Sequence, residues 1–230
     1  MRDEKVKALR SVRPMTPMEA RAASVVGQYA PGVLDGQRVP GYREEPSVAA
    51  DSRVPTYAAL RLMIDNWRWE GVPFFLRSGK RMAKRVTEIA VQFRRPPHLL
   101  FPVSNDREVA PNVLAIRVQP EEGISLRFEV KVPGVEVRMA PVKMVFSYAT
   151  AFGASTHSAY ETLLLDGMLG DATLFARGDQ VEVAWGVIDP VVEAWEEGIP
   201  TRIPNYAAGS WGPSAADALV ARSDTEWRCP

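Results

Sequence analysis

Cysteine and histidine are scarce in this sequence of 230 residues. It contains one cysteine, Cys229, and two histidines, His98 and His157. A single cysteine cannot form an intramolecular disulfide, so we expect the chain to function in a reducing compartment, the cytoplasm. A structural zinc site commonly uses about four Cys or His ligands, more than these three residues supply. We therefore expect no metal centre.

Glycine motifs for nucleotide binding and long apolar runs are also missing. No two of the 16 glycines lie two positions apart, which excludes the Gly-x-Gly-x-x-Gly dinucleotide fingerprint. Lys80 follows Gly79, but Phe74 stands where a P-loop needs its first glycine. No apolar run approaches the roughly 20 residues that span a bilayer, and the N-terminus is too polar for a signal peptide. A nucleotide cofactor, if one is used, is not bound here by a Rossmann turn.

Charge is balanced over the whole chain but concentrated locally. Lys plus Arg equals Asp plus Glu at 28 each, so we expect neither nucleic acid nor an acidic membrane as a partner. Five cations nevertheless fall within nine positions, after the aromatic run that begins at Trp67: Arg77, Lys80, Arg81, Lys84 and Arg85. Two explanations stay open. The cluster binds a small anion, with phosphate as the first candidate, or it is a solvated strand end.

The order of predicted elements indicates an α+β fold. Alternating apolar and polar residues predict strands at 87–94, 112–119, 124–132 and 142–148. Short links join these strands without intervening helices, which is typical of an antiparallel meander. In 124–132 the alternation predicts a buried face of apolar residues and a solvent-exposed face of polar residues. The last third is helical, so we predict one domain over 1–230, with a large, mainly antiparallel sheet and helices packed on one face.

Residues 57–64 (YAALRLMI) fit both a strand and a helix. Leu60, Ile64 and Trp67 have helical spacing, whereas alternate residues from Ala58 to Ile64 would share one strand face. Helix propensity slightly favours the helix. The periodicity alone does not decide between the two.

Five segments resemble the C-terminal domain of glucose-6-phosphate dehydrogenase, in the order of that family. They are RDEKVKALRSVRP, VPTYAALRLMIDNWRWEGVPFFLRSGKRMAKRVTEIAVQFR, NVLAIRVQPEEGISLRF, SAYETLLLDGMLGD and GSWGPSAADAL. The most specific motif is W-x-G-V-P-F-x-x-R-x-G-K, which ends at Lys80. The resemblance covers essentially the whole chain. It implies an antiparallel-sheet α+β fold with a strand at 57–64, and a sheet that forms the subunit interface of a dimer or tetramer.

The resemblance also implies a substrate site. In the family, a lysine in G-K and a cation five residues later bind the phosphate of glucose 6-phosphate, which points to Lys80 and Arg85. A glutamine in the family's R-V-Q-P element borders the sugar and matches Gln119. Arg117 either contacts the ligand or supports the sheet. Lys80 and Arg85 follow a bend expected at Ser78-Gly79, where two cations could converge on one anion.

Two parts of the family's active site have no match in this sequence. The D-H-Y-L-G-K element with the catalytic histidine does not occur, so no catalytic residue is assigned, and His98 and His157 are expected to be local or structural. NADP would be bound mainly by an N-terminal Rossmann domain outside this sequence. Some family members bind a second, structural NADP in this domain. Those members carry cations at positions where this sequence has Val86 and Ala90, and an arginine where it has Trp211. We therefore do not expect a structural NADP here.

The resemblance therefore predicts the C-terminal part of an NADP-dependent glucose-6-phosphate dehydrogenase. That enzyme oxidises glucose 6-phosphate to 6-phosphogluconolactone, the first step of the pentose phosphate pathway. The chain would supply the sugar-phosphate clamp and the oligomer interface, and would be inactive alone because it lacks a general base. A separately encoded N-terminal half is a possible partner. The alternative is a non-catalytic oligomerisation or regulatory module derived from that enzyme.

Overall fold

The computed structural model describes residues 2–95, 110–135, 138–153, 159–198, 202–223 and 225–230. Both histidines, His98 and His157, lie outside these ranges. The chain divides into two compact units. The first contains Met1–Lys84 and Tyr160–Cys229, and the second contains Arg85–Ala159 together with Pro230.

Helices and antiparallel strands are both present in the described residues, which confirms the α+β class. The helices are α1 (Arg2–Arg10), α2 (Pro17–Ala22), α3 (Tyr148–Phe152), α4 (Ala159–Leu169), α5 (Gly178–Gly198) and α6 (Ser214–Ala221). The strands of the first unit are β1 (Ser24–Gly27), β2 (Tyr29–Ala30), β3 (Gly32–Leu34), β4 (Gln37–Val39), β5 (Tyr57–Met63), β6 (Pro73–Gly79) and β11 (Tyr206–Ala207). The strands of the second unit are β7 (Thr87–Gln92), β8 (Val113–Gln119), β9 (Gly123–Lys131) and β10 (Met139–Ser147).

The first unit is built on a three-stranded antiparallel sheet. Its order is β1-β5-β6, so β5 is the central strand. The strand prediction for 57–64 is therefore confirmed, although the periodicity also fitted a helix. The central position explains the apolar composition of β5, because both of its faces are covered: Tyr57 contacts one cluster of buried residues and Leu60 another. Helices α1 and α2 pack on α5, and α6 packs on β1 and β5.

The second unit contains the predicted meander. Its four strands are all antiparallel, in the order β10-β9-β8-β7. The three-stranded sheet thus lies in the first unit and the four-stranded sheet in the second. The register aligns one apolar residue from each strand in a row on the same face: Ile89, Ile116, Ile124 and Phe146.

At the start of β9 the expected burial is reversed: the apolar face is exposed and the polar face is buried. Ile124 is 39% exposed, whereas its neighbour Ser125, which points to the opposite face, is only 6% exposed. All four residues of the apolar row are exposed. Alternation correctly predicts that the strand has two chemically different faces. It does not reveal which face the rest of the chain covers.

Candidate functional site

The aromatic run before the basic cluster is only partly buried. Trp67 is fully exposed. The ring of Trp69 packs edge-on against Phe74 with centroids 5.3 Å apart, and Phe75 packs in the same way against Trp227 at 6.2 Å. Strand β6 is therefore anchored by aromatic contacts along part of its length, and Trp67 does not contribute to them.

Arg77, the first cation of the cluster, is occupied by structural contacts. Its guanidinium lies over the rings of Trp211 and Trp227, at 4.9 Å and 4.8 Å from their centroids. Its Nη1 donates to the main-chain oxygen of Trp211 at 3.4 Å, and its Nη2 donates to the main-chain oxygen of Arg228. An arginine between two indoles fixes two distant segments to β6. This role is structural, so Arg77 is not a candidate anion ligand.

Arg81 is likewise paired within the first unit. Its Nη2 lies 2.9 Å from Oε1 of Glu45, and the Tyr29 hydroxyl donates to the same oxygen at 3.1 Å. The hydrogen bond from Arg81, followed by that from Tyr29, holds the pKa of the Glu45 carboxyl below its usual value. Arg81 also has a positive φ of 51°. Its role is to shape the turn after β6.

Lys80 stands at the end of β6 and its side chain is exposed. Ser78 and Gly79 belong to β6, so the expected bend at these two residues is displaced. The chain turns at Lys80 and Arg81 instead, because pairing with the neighbouring strand continues by one residue: the Lys80 amide donates to the main-chain oxygen of Thr56 at 2.8 Å. Within the described part of the chain, the Lys80 ammonium has no ion-pair partner.

The main chain around Lys80 is held from several directions. The Tyr206 hydroxyl donates to the Lys80 carbonyl at 2.9 Å and lies 3.0 Å from Oγ1 of Thr56. The Arg81 carbonyl accepts from the Gly209 amide at 2.7 Å, and the Ala83 amide donates to the main-chain oxygen of Ser210 at 2.9 Å. Sequence analysis missed Tyr206, which lies 126 residues from Lys80. Its only sequence signal is its place just before the GSWGP segment.

Arg85 and Gln119 both lie in the second unit. Thr87, which begins β7, pairs with Gln119, which ends β8, and Nε2 of Gln119 donates to Oγ1 of Thr87 at 2.9 Å. Arg85 precedes Thr87 by two residues, so the strand register brings Arg85 and Gln119 to the same end of the sheet. Both side chains are exposed, and within the described ranges Arg85 has no ion-pair partner. Lys80, the other predicted phosphate ligand, belongs to the first unit.

Alternation along β8 would place Arg117 and Gln119 on one strand face, but a shift of register between them interrupts it. Arg117 pairs with Glu88, next to the Thr87 that pairs with Gln119. Its Nη1 lies 3.4 Å from Oε2 of Glu121, and its side chain is 29% exposed. The guanidinium also lies near Gly123, since a Cβ built there would be 3.2 Å from Nη2 of Arg117. These local contacts favour the supporting role for Arg117 over the ligand-binding one.

The described residues offer neither a cluster of metal ligands nor a membrane-spanning helix. Among the described residues no group of three or more His, Cys, Asp or Glu side chains could hold a metal ion. In the same ranges, no helix combines the length and the apolar character that crossing a bilayer requires.

Comparison with known proteins gives consistent matches along the whole chain. The family model described as the glucose-6-phosphate dehydrogenase C-terminal domain matches residues 1–228. Glucose-6-phosphate 1-dehydrogenase of Aggregatibacter actinomycetemcomitans is 48% identical over 100% of this chain and 45% of its own length. The enzyme of Chlamydia pneumoniae is 46% identical over 99% of this chain and 44% of its own length.

Two solved structures show the same likeness. The crystal structure of glucose-6-phosphate 1-dehydrogenase from Mycobacterium avium matches with a TM-score of 0.77 and 36% identity, over 100% of this chain and 44% of that one. A glucose-6-phosphate dehydrogenase in complex with its substrate glucose 6-phosphate matches with a TM-score of 0.81 and 32% identity, over 99% of this chain and 45% of that one. The chain thus spans less than half the length of these relatives.

Proposed function

Because the chain belongs to the family of the glucose-6-phosphate dehydrogenase C-terminal domain, we propose that it is the C-terminal part of such an enzyme. The enzyme would oxidise glucose 6-phosphate to 6-phosphogluconolactone with NADP, the first step of the pentose phosphate pathway. One observation carries the proposal: the chain matches, over 99% of its length, an enzyme solved with glucose 6-phosphate bound. The family membership agrees with the resemblance stated from the sequence.

The contribution we propose for this chain is binding of the sugar phosphate. Lys80 and Arg85 would bind the phosphate, and Gln119 would border the sugar. The ammonium of a lysine acts as a point charge, whereas an arginine can bond two phosphate oxygens at once. Both cations are exposed, and the described residues supply neither with an ion-pair partner. Binding energy from a phosphate remote from the reacting carbon can orient the sugar for reaction.

The cofactor and the general base would be supplied from outside this chain. The 230 residues contain no dinucleotide fingerprint, so they do not fit the reacting NADP, and no hydride-transfer step is assigned to them. An N-terminal half, joined to this chain or separately encoded, would provide both. We expect the isolated chain to reduce no NADP when glucose 6-phosphate is added. Turnover that persists after repurification would overturn this division of roles.

Calorimetric titration with glucose 6-phosphate tests the phosphate site. We expect Lys80→Ala and Arg85→Ala each to weaken binding by roughly 1.5–3 kcal/mol, the range for a hydrogen bond to a charged group. Lys5→Ala and Arg38→Ala are matched controls, since each removes an exposed cation from another element of the first unit. Unchanged affinity in both Lys80→Ala and Arg85→Ala would remove the assignment.

The exposed apolar row of the second unit favours a further role as an oligomer interface, in a homodimer or homotetramer. Four large apolar side chains on adjacent strands are unusual on a surface that stays in water. We expect Ile116→Lys to shift the chain toward monomer in sedimentation velocity, because a charge in such an interface is costly to bury. Val33→Lys, at an exposed position of β3, is the control. A chain that retains this interface but binds no sugar phosphate would instead support the non-catalytic oligomerisation or regulatory module.

The compartment we propose is the cytoplasm. The one cysteine, Cys229, is a free and exposed thiol, as is typical of proteins in a reducing environment.

A further inference from the structure

The hydroxyl groups of Tyr206 and Thr56 form a small network at Lys80. The Tyr206 oxygen lies 2.9 Å from the Lys80 carbonyl oxygen, 3.2 Å from the Thr56 carbonyl oxygen and 3.0 Å from Oγ1 of Thr56. Oγ1 of Thr56 also accepts the Tyr29 amide at 3.1 Å. Both Thr56 and Tyr206 are buried.

The protons of this network can be assigned without conflict. Oγ1 of Thr56 accepts from Tyr29, so its own proton is available for the Tyr206 oxygen. Tyr206 then donates its single proton to the nearer carbonyl, that of Lys80. Burial raises the pKa of Tyr206, so the hydroxyl keeps its proton at neutral pH. The network therefore ends on the main chain of Lys80.

The main chain of Lys80 is thus bonded on both sides. Its amide donates to the Thr56 carbonyl at 2.8 Å and its carbonyl accepts from Tyr206. The side chain beyond this fixed main chain is exposed. A long lysine side chain has many rotamers, and fixing its main chain reduces the entropy that anion binding must still overcome.

We propose that Tyr206 and Thr56 are positioning residues for sugar-phosphate binding, which hold the main chain of Lys80 so that its ammonium is presented to the phosphate. This inference rests on the proposed function and deepens it. Neither residue needs to touch the ligand. The network acts on Lys80 alone among the proposed ligands, so its effect on affinity should require the Lys80 ammonium.

The substitution Tyr206→Phe removes the hydroxyl and keeps the ring. The ring packs between Tyr57, with centroids 5.5 Å apart, and Tyr29, at 6.4 Å, so the aromatic cluster should survive. We expect Tyr206→Phe to weaken glucose 6-phosphate binding about three- to tenfold, the effect of losing one neutral hydrogen bond. Amide hydrogen exchange at Lys80 should accelerate. Tyr29→Phe is the matched control, because its hydroxyl bonds Glu45 and not Lys80.

A double-mutant cycle decides between positioning and general destabilisation. The affinity of wild type, Tyr206→Phe, Lys80→Ala and the double variant would be measured by calorimetry on chains shown to be folded by circular dichroism. We expect Tyr206→Phe to cause no further loss of affinity once Lys80 is alanine, because the network then has no ammonium to position. Thr56→Val should behave in the same way.

Other outcomes would overturn one claim or both. A loss from Tyr206→Phe that persists undiminished in the Lys80→Ala background would show a general effect and refute the positioning role. Wild-type affinity in Tyr206→Phe, with reduced affinity in Lys80→Ala, would also refute it and leave the phosphate site intact. Wild-type affinity in Lys80→Ala would overturn the proposed phosphate site and the positioning role together.

Discussion

Replacing Arg77 by lysine tests whether this cation is structural, as its contacts indicate, or part of an anion site. The substitution keeps the positive charge and removes the planar guanidinium. In the protein that guanidinium lies between Trp211 and Trp227 and donates to two main-chain carbonyls. A lysine can approach the rings but cannot bond both carbonyls in the same geometry.

The expected loss follows from the contacts that lysine cannot reproduce. Two stacking contacts contribute roughly 0.5–1 kcal/mol each at a partly exposed site. One lost hydrogen bond from a charged donor adds about 1.5 kcal/mol. Lysine recovers part of the attraction to the rings, so we expect Arg77→Lys to lower the free energy of unfolding by about 2–3 kcal/mol.

Urea unfolding followed by tryptophan fluorescence measures this loss, with two of the reporting indoles in direct contact with the mutated residue. Arg61→Lys is the matched control, because it changes a half-buried arginine on the neighbouring strand β5. We expect it to change stability by less than about 0.5 kcal/mol, because the Arg61 side chain has no hydrogen bond or ion pair among the described residues. Equal effects of Arg77→Lys and Arg61→Lys would refute the structural role of Arg77.

Three further predictions concern stability. Gly212 has φ 115°, and a Cβ there would lie 2.4 Å from the Tyr57 ring. Gly212→Ala should therefore cost about 2–5 kcal/mol in urea unfolding, whereas Gly36→Ala, at φ 77° with open space around it, should cost about 1–2 kcal/mol. Burial raises the pKa of Tyr57 from 10.0 to about 12, so the folded protein releases this proton less readily than the unfolded chain and stability falls as pH rises from 10.0 toward about 12. Because this hydroxyl has no hydrogen-bond partner among the described residues, Tyr57→Phe should flatten that alkaline decline in thermal unfolding and raise stability at neutral pH by about 1 kcal/mol. The hydrogen bonds from Arg13 lower the pKa of Asp65 below 3.8, so their stabilisation is present above this value and is lost as pH falls further. Acid unfolding followed by circular dichroism should be less steep for Asp65→Asn than for wild type.

Sequence reasoning was most successful where structure depends on local pattern. The alternation in 87–94, 112–119 and 124–132 predicted the strands of the meander to within two residues at each end. Predicting a strand at 57–64 needed the resemblance, because its apolar spacing fits a helix equally well. Its central place in the three-stranded sheet, which favours the strand, is not visible in the local sequence. The exposed side of β9 could not be predicted either, since alternation does not identify the covering element.

The cations at the end of β6 and in the turn after it show why the candidate site was harder to predict. Sequence proximity grouped Arg77 and Arg81 with Lys80, but the structural partners of the two arginines lie far away along the chain. Arg77 donates to a carbonyl 134 residues distant, and Arg81 pairs with a carboxylate 36 residues distant. Such long-range contacts leave no local pattern, and they decide which cations remain available for a ligand.

The most direct test of the account compares glucose 6-phosphate with glucose in calorimetric titrations of the chain. The account predicts that glucose binds at least about tenfold more weakly, because the proposed energy comes from charged contacts to the phosphate. It also predicts that added salt weakens binding of the phosphosugar, since exposed cations are screened. Equal affinity for the two sugars, or no binding of glucose 6-phosphate at all, would contradict the proposal that this chain holds a sugar-phosphate site.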